Sequence, residues 1–228
     1  MIRTLLHLLL LLLTTAVTTC GIGCSIVGFI GAGKQAIEDQ MLIERPAEYP
    51  LEGKRVAVVI DTDLAVHYEH PGISTLIAEA IAGRIAKNVR DVEVLRPDVV
   101  ARWQFETAQW TAMPSTEIAK SLHVDRVIYI DLQNYSLTPP GNQWLWEGRC
   151  SAMIGVIEAD NYEQDGFADT YEIRAAFPQR PSVLSREEAS EGTIEQGLLN
   201  EFIKKASWLF YFHEEPKHPD RYRPELQQ

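Results

Sequence analysis

Cysteine is scarce in this chain: Cys20, Cys24 and Cys150 are the only three in 228 residues. A small exported domain stapled by disulfides needs a denser, even set, so that class is excluded. Positive charge is also short. Lys and Arg number 21 against 32 Asp and Glu, giving a formal net charge of −11. Nucleic-acid binding requires a basic footprint, so it is not expected. The same acidity argues against broad adhesion to anionic lipid heads, and any membrane attachment must come from the amino-terminal end. There, no Asp, Glu, Lys or Arg falls between Arg3 and Lys34. Catalytic signatures are missing too. Ser115, Ser136, Ser151 and Ser182 lack a nucleophile-elbow context, and Cys150 has no histidine nearby in sequence.

What is present begins with the leader. Arg3 and the amino terminus give a positive start, Leu5–Leu13 an apolar core, and Thr14–Thr19 a small-residue zone. That layout is a bacterial secretory signal over residues 1–19. Cys20, just beyond it, resembles the lipid-bearing cysteine of a lipobox, with Cys24 as the alternative because Gly23 precedes it directly. Thr19 before Cys20 departs from the usual Gly or Ala. An uncleaved anchor is the other reading, since about 20 apolar residues span a bilayer. Either reading places the body outside the cytoplasm on a membrane surface.

Gly28-Phe29-Ile30-Gly31-Ala32-Gly33-Lys34 fits the first seven positions of a phosphate-binding P-loop. The eighth is Gln35, not the Ser or Thr that holds magnesium, and no buried strand precedes it. A spacer accounts for it better than nucleotide binding. Residues 20–52 read as tether and linker, with a helical fragment over Ala36–Leu42. The remainder, 46% apolar over the whole chain, has material for one ordinary core.

The run Val56–Asp61 is continuous and β-branched, as in a strand buried on both faces. Ser74 can cap a helix whose Ile77, Ile81 and Ile85 form one stripe. A second strand spans Val92–Leu95, a short helix follows Asp98, and Ser115 opens another over Thr116–Leu122. The third strand is Asp125–Gln133. This β-α-β-α-β order predicts parallel pairing with right-handed crossovers. A hairpin from Tyr135 to Ala159 and a strand over Thr170–Phe177 follow. Ser185 and Glu188 match a capping box, predicting a helix from there to Phe212. The expected fold class is α/β: a two- or three-layer β-α-β-α-β core, then antiparallel strands and a carboxy-terminal helix on a mixed sheet. The domain is expected over 53–213, with a polar tail over 214–228.

This order, behind such a leader, resembles the α/β domain of the curli-secretion lipoprotein and the penicillin-binding-protein activator lipoproteins, and more distantly a domain of the Tol-system propeller protein. Lys54–Val59, Asp125–Leu132 and Leu145–Arg149 are similar to segments of a group of envelope lipoproteins from planctomycete-type bacteria. The resemblance spans about Lys54–His213. It implies a domain that binds proteins or builds assemblies, and it carries over no binding residues.

Asp61 and Asp63 sit at the carboxyl end of the first strand, where open α/β sheets place ligands. With His67, Glu69 and His70 they can form a metal or acid–base site, or simply a solvated loop. Asp131 in an apolar strand is either a functional acid or a carboxylate met by Arg126 or Arg149 or exposed at a strand end. His213, Glu214, Glu215 and His218 match no preorganised metal site. Neither a metal nor another cofactor is expected. Trp103, Trp110 and Trp144 are the interface candidates, and the alternative is that they plug a core. The expected role is a membrane-anchored, non-enzymatic module that docks a protein or self-associates. The alternative is an extracytoplasmic hydrolase or small-ligand binder using Asp61, Asp63 and Asp131.

Overall fold

A buried β-branched strand fixes the centre of the fold, and helices close on it from both sides. The computed structural model describes residues 38–179, 183–219 and 221–222. The leader, Cys20, Cys24, the P-loop-like segment, Ser182 and the end of the tail lie outside the described residues. In chain order the elements are β1 (Leu42–Arg45), β2 (Arg55–Thr62), α1 (Leu64–Glu69), α2 (Ile73–Asn88) and β3 (Glu93–Val94). Then come α3 (Pro97–Glu106), a 3-10 turn at Trp110–Ala112, α4 (Ser115–Ser121) and β4 (Arg126–Ser136). The rest are β5 (Leu145–Trp146), β6 (Gly148–Glu158), β7 (Asp169–Phe177), β8 (Leu184–Ser185), α5 (Glu191–Trp208) and β9 (His213–Pro216).

The main sheet has five strands in the order β3-β2-β4-β6-β7. Strand β2 runs parallel to β3 and β4, whereas β6 is antiparallel to both β4 and β7. This is the mixed sheet expected from the sequence. Val56, Val58 and Ile60 join Ile128, Ile130 and Ile154 beneath Ile77, Ile81 and Ile85 of α2 and Leu198 and Phe202 of α5. The opposite phase of the same strands, Ala57, Val59 and Val127, packs with Val100 of α3 and Ile118 and Ala119 of α4. Helices therefore cover both faces, which makes three layers, because every residue from Val56 to Ile60 is buried. Burying each such side chain contributes roughly 1.5–3 kcal/mol.

Several local expectations change. Helix α2 starts at Ile73 with Gly72 as its cap in the left-handed region, and Ser74 instead shares a 2.6 Å hydrogen bond with Thr62. Helix α3 places Pro97 in its first turn, where proline lacks nothing the helix needs, and Asp98 follows it. Pro114, not Ser115, occupies the cap position of α4. Ser185 does not open the last helix. Its N–H donates to Glu188 at 2.7 Å, but the box closes a turn after β8, and Ser190 caps α5 by accepting from Thr193 N–H. Local capping chemistry recurs at Ser190, and the one nearest the apolar run takes the helix.

The chain divides into two compact units, one of them Pro46–Phe212. Leu51, assigned to the linker by sequence, is fully buried in this α/β unit. The other unit includes a two-stranded ribbon in which Leu42 pairs with Pro216 and Arg45 with His213. A strand thus replaces the end of the expected helical fragment, and another replaces the start of the expected polar tail. Across the ribbon Arg45 meets Glu215 at 2.7 Å, while Glu44 lies opposite Glu214.

Candidate functional site

Parallel strands β2 and β4 end side by side, with Asp61 in register with Asp131. The crossover from β2 to β3 runs over one face and that from β3 to β4 over the other, so the strand order reverses between β2 and β4, the kind of switch point where α/β sheets take ligands. Alternation places Val59 and Asp61, with Tyr129 and Asp131, on the face covered by α3 and α4. Tyr129 donates from its hydroxyl to Asp61 Oδ2 at 2.8 Å. Burial first, then the hydrogen bond and charge of Asp61, push the phenol well above its usual range. It therefore stays protonated and serves as a donor. Gln104 of α3 caps the arrangement by donating to the Ile60 carbonyl at 3.0 Å.

An aromatic seam runs beside these groups. The rings of Trp103 and Trp110 lie 6.1 Å apart, Trp110 and Tyr129 6.2 Å, and Tyr129 and Phe167 5.8 Å. Gly155 makes room for it: a Cβ there would run into the Phe167 ring. Trp103 and Trp110 are half-buried in this seam, whereas Trp144 is 82% exposed in the turn before β5. The three interface candidates thus differ in exposure, and ring contact joins Trp103 to Trp110. Trp146 is buried, donating from its indole to the Ala189 carbonyl at 2.7 Å with Arg186 over its face at 3.5 Å.

The acidic candidates near the strand ends each have their own partners. Asp63 accepts from Ala65 N–H at 3.0 Å and caps α1. His67 is exposed against Tyr68, and His70 packs edge-on to Tyr135 at 4.7 Å. Asp131 is half-exposed and accepts from Gln133 at 3.1 Å. Neither arginine meets it. Arg126 bonds Tyr49, pairs with Glu158 at 3.3 Å and with Asp160 at 2.9 Å, and Arg149 pairs with Glu147 at 2.6 Å. Among the described residues, no group of three or more His, Cys, Asp or Glu is placed to hold a metal ion. His213, Glu214 and Glu215 lie on β9, where the Arg45 pairing engages Glu215. Of the candidate nucleophiles, Ser136 donates to the Thr138 carbonyl at 2.8 Å, and burial pushes the Cys150 thiol up to about 12. A 420 Å³ surface recess is bordered by the Pro139–Gly141 turn with Asn134, Ser136, Thr138 and Arg149, and none of the three aspartates lines it.

Sequence reasoning singled out neither Tyr129 nor Gln104. Tyr129 was legible in principle, since it shares the phase of Val127 and Asp131 in β4. Gln104 depends on how α3 lies over β2, which no local pattern encodes. It also overlooked a set of exposed apolar side chains at this end of the α/β unit. Leu64 and Tyr68 of α1 are 69% and 79% exposed. Leu76, in the early turns of α2, and Phe105, at the end of α3, are exposed as well. The spacing of Leu64 and Tyr68, opposite buried Val66, was the available signal.

Among the described residues no helix is long and apolar enough to cross a membrane. No protein-family model matches the sequence, and no curated protein sequence matches it. The chain is similar in fold to the PelC dodecamer from Paraburkholderia phytofirmans, at 11% identity and a TM-score of 0.43, covering 75% of this chain and 99% of that one. It is also similar to a lipoprotein from Neisseria meningitidis, at 12% identity and a TM-score of 0.43, covering 66% and 96%. A minor lipoprotein from Acinetobacter baumannii aligns at 7% identity with a TM-score of 0.38, covering 69% and 90%. None of these likenesses carries a function across.

Proposed function

We propose that the chain is a membrane-tethered lipoprotein of the cell envelope, held through Cys20, whose α/β domain acts as a protein-docking or assembly module. One observation carries the docking half. Leu64, Tyr68, Leu76 and Phe105 project into solvent around the strand end where a ligand site would lie. Aromatic and aliphatic anchors are what interfaces use. At the same end Asp63 caps a helix and Asp61 accepts from Tyr129. The anchoring half rests on the leader and its cysteine. The resemblance to curli-secretion and penicillin-binding-protein activator lipoproteins, and to those of planctomycete-type bacteria, points the same way.

Metabolic labelling with a radioactive fatty acid tests the anchor. The parent chain takes up label and Cys20→Ala does not. Unchanged labelling of Cys20→Ala moves the site to Cys24, and an unlabelled parent rejects lipidation. For the docking half, chemical cross-linking in intact cells captures a protein; recovery of a small molecule alone rejects it. The second reading, hydrolase or ligand binder, is favoured only by the Asp61–Tyr129–Asp131 juxtaposition. It predicts that Asp61→Asn abolishes ligand binding without altering cross-links.

A further inference from the structure

Strand β7 is an edge of the five-stranded sheet: among the described residues it pairs with β6 on one side and with no other strand. An open edge nine residues long is a template for another strand, and proteins that do not use such an edge blunt it. Its residues divide by parity. Tyr171, Ile173, Ala175 and Phe177 are half-buried or buried. Thr170, Glu172, Arg174 and Ala176 are all exposed and share the other face.

The outward peptide groups are those of the even residues. The Arg174 carbonyl accepts from Lys205 Nζ at 2.8 Å, and the Thr170 N–H donates to Asp169 Oδ1 at 2.8 Å, so neither is used in the ladder to β6. An incoming antiparallel strand must therefore set even residues opposite even residues.

From this we infer that β7 pairs antiparallel with β7 of a second copy of this chain, across a twofold axis at Ile173. Charge selects that register. With the axis at Ile173, Glu172 of each copy lies opposite Arg174 of the other, twice by symmetry. A shift that centres the axis on residue 172 puts glutamate against glutamate, and one centred on 174 puts arginine against arginine. Like charges directly opposite destabilise a sheet. Ile173 is also the midpoint of Asp169–Phe177, so the charge-matched register is the one that overlaps the whole strand. In the single chain Glu172 and Arg174 pair with each other at 2.5 Å, with side chains 60% and 77% exposed. A pair that exposed contributes little and is free to exchange partners. Lys205 gives up the Arg174 carbonyl to the partner's N–H. The inference deepens the assembly reading and rests on it for the need of a partner, but not on lipidation.

The test uses the full chain in detergent, with mass measured by sedimentation equilibrium. The parent is a dimer. Glu172→Arg sets Arg against Arg, Arg174→Glu sets Glu against Glu, and each raises the dissociation constant at least about tenfold. Mixing the two variants restores the dimer, because each then offers what the other lacks. The exchanged variant carrying both substitutions also dimerises. All are surface changes, so circular dichroism of each matches the parent. A monomeric parent, single variants that stay dimeric, or a mixture that does not re-associate overturns β7 pairing. If the chain is monomeric yet captures a different protein in cells, the docking function survives and this interface does not.

Discussion

The two faces of the sheet are finished differently. On one, α2 and α5 bury a continuous apolar layer from Val56 and Ile128 across to Ala175. On the other, α3 and α4 cover β2 and β4, then stop. Beyond the aromatic seam, Thr170, Glu172, Arg174 and Ala176 face solvent. The first face stabilises the fold. The second combines packing with the Asp61–Tyr129 pair, and its exposed residues run out to the β7 edge.

Substitutions should separate the two faces. The largest effect is expected at Phe202, fully buried on the continuous face. Phe202→Ala should cost about 3–5 kcal/mol in urea unfolding. A loss below about 1 kcal/mol would show that this layer is less tightly packed than its burial implies. On the other face, Gly155→Ala forces Phe167 out of the seam and should cost about 1–3 kcal/mol by overpacking. Its signature is altered tryptophan fluorescence, since Trp103 and Trp110 continue the seam. Unchanged fluorescence would detach the seam from Phe167.

Asp63→Ala tests whether the strand-end acids belong to the fold. Loss of the α1 cap should cost about 1 kcal/mol. The remaining tests are read by thiol labelling and pH. Cys150 belongs to the continuous face, and burial raises its pKa to about 12 from 9.0. At pH 8 it should react with maleimide only on unfolding, while a cysteine introduced by Glu172→Cys reacts at once. Because the folded value is raised, the contribution of this thiol is fully present below pH 9 and is lost as pH climbs towards about 12. Unfolding midpoints should fall over that window, and Cys150→Ala should flatten the fall. A midpoint as steep in the variant would assign the loss to other groups.

The layers were legible because periodicity reports burial. Val56–Ile60 read as a strand covered twice, and Ile77, Ile81 and Ile85 as the inner stripe of a helix, and both are so placed. The β1–β9 ribbon was not legible, since its strands are only four residues each with no alternating apolar pattern, and its pairing joins residues far apart in sequence, Glu44 with Glu214 among them. The candidate site was legible only in part. Asp61 and Asp131 do lie side by side, but what meets each acid is set by tertiary placement. Arg126 is taken by Glu158 and Asp160, and Tyr129 comes from the phase of β4.

The most direct test joins anchoring to assembly. A photo-reactive residue at position 172 of the full chain, activated in intact cells, is followed by separation of membrane from soluble fractions. The account predicts an adduct of twice the chain mass, confined to the membrane fraction. A chain found only in the soluble cytosol, or one in the membrane that forms no such adduct, would contradict it.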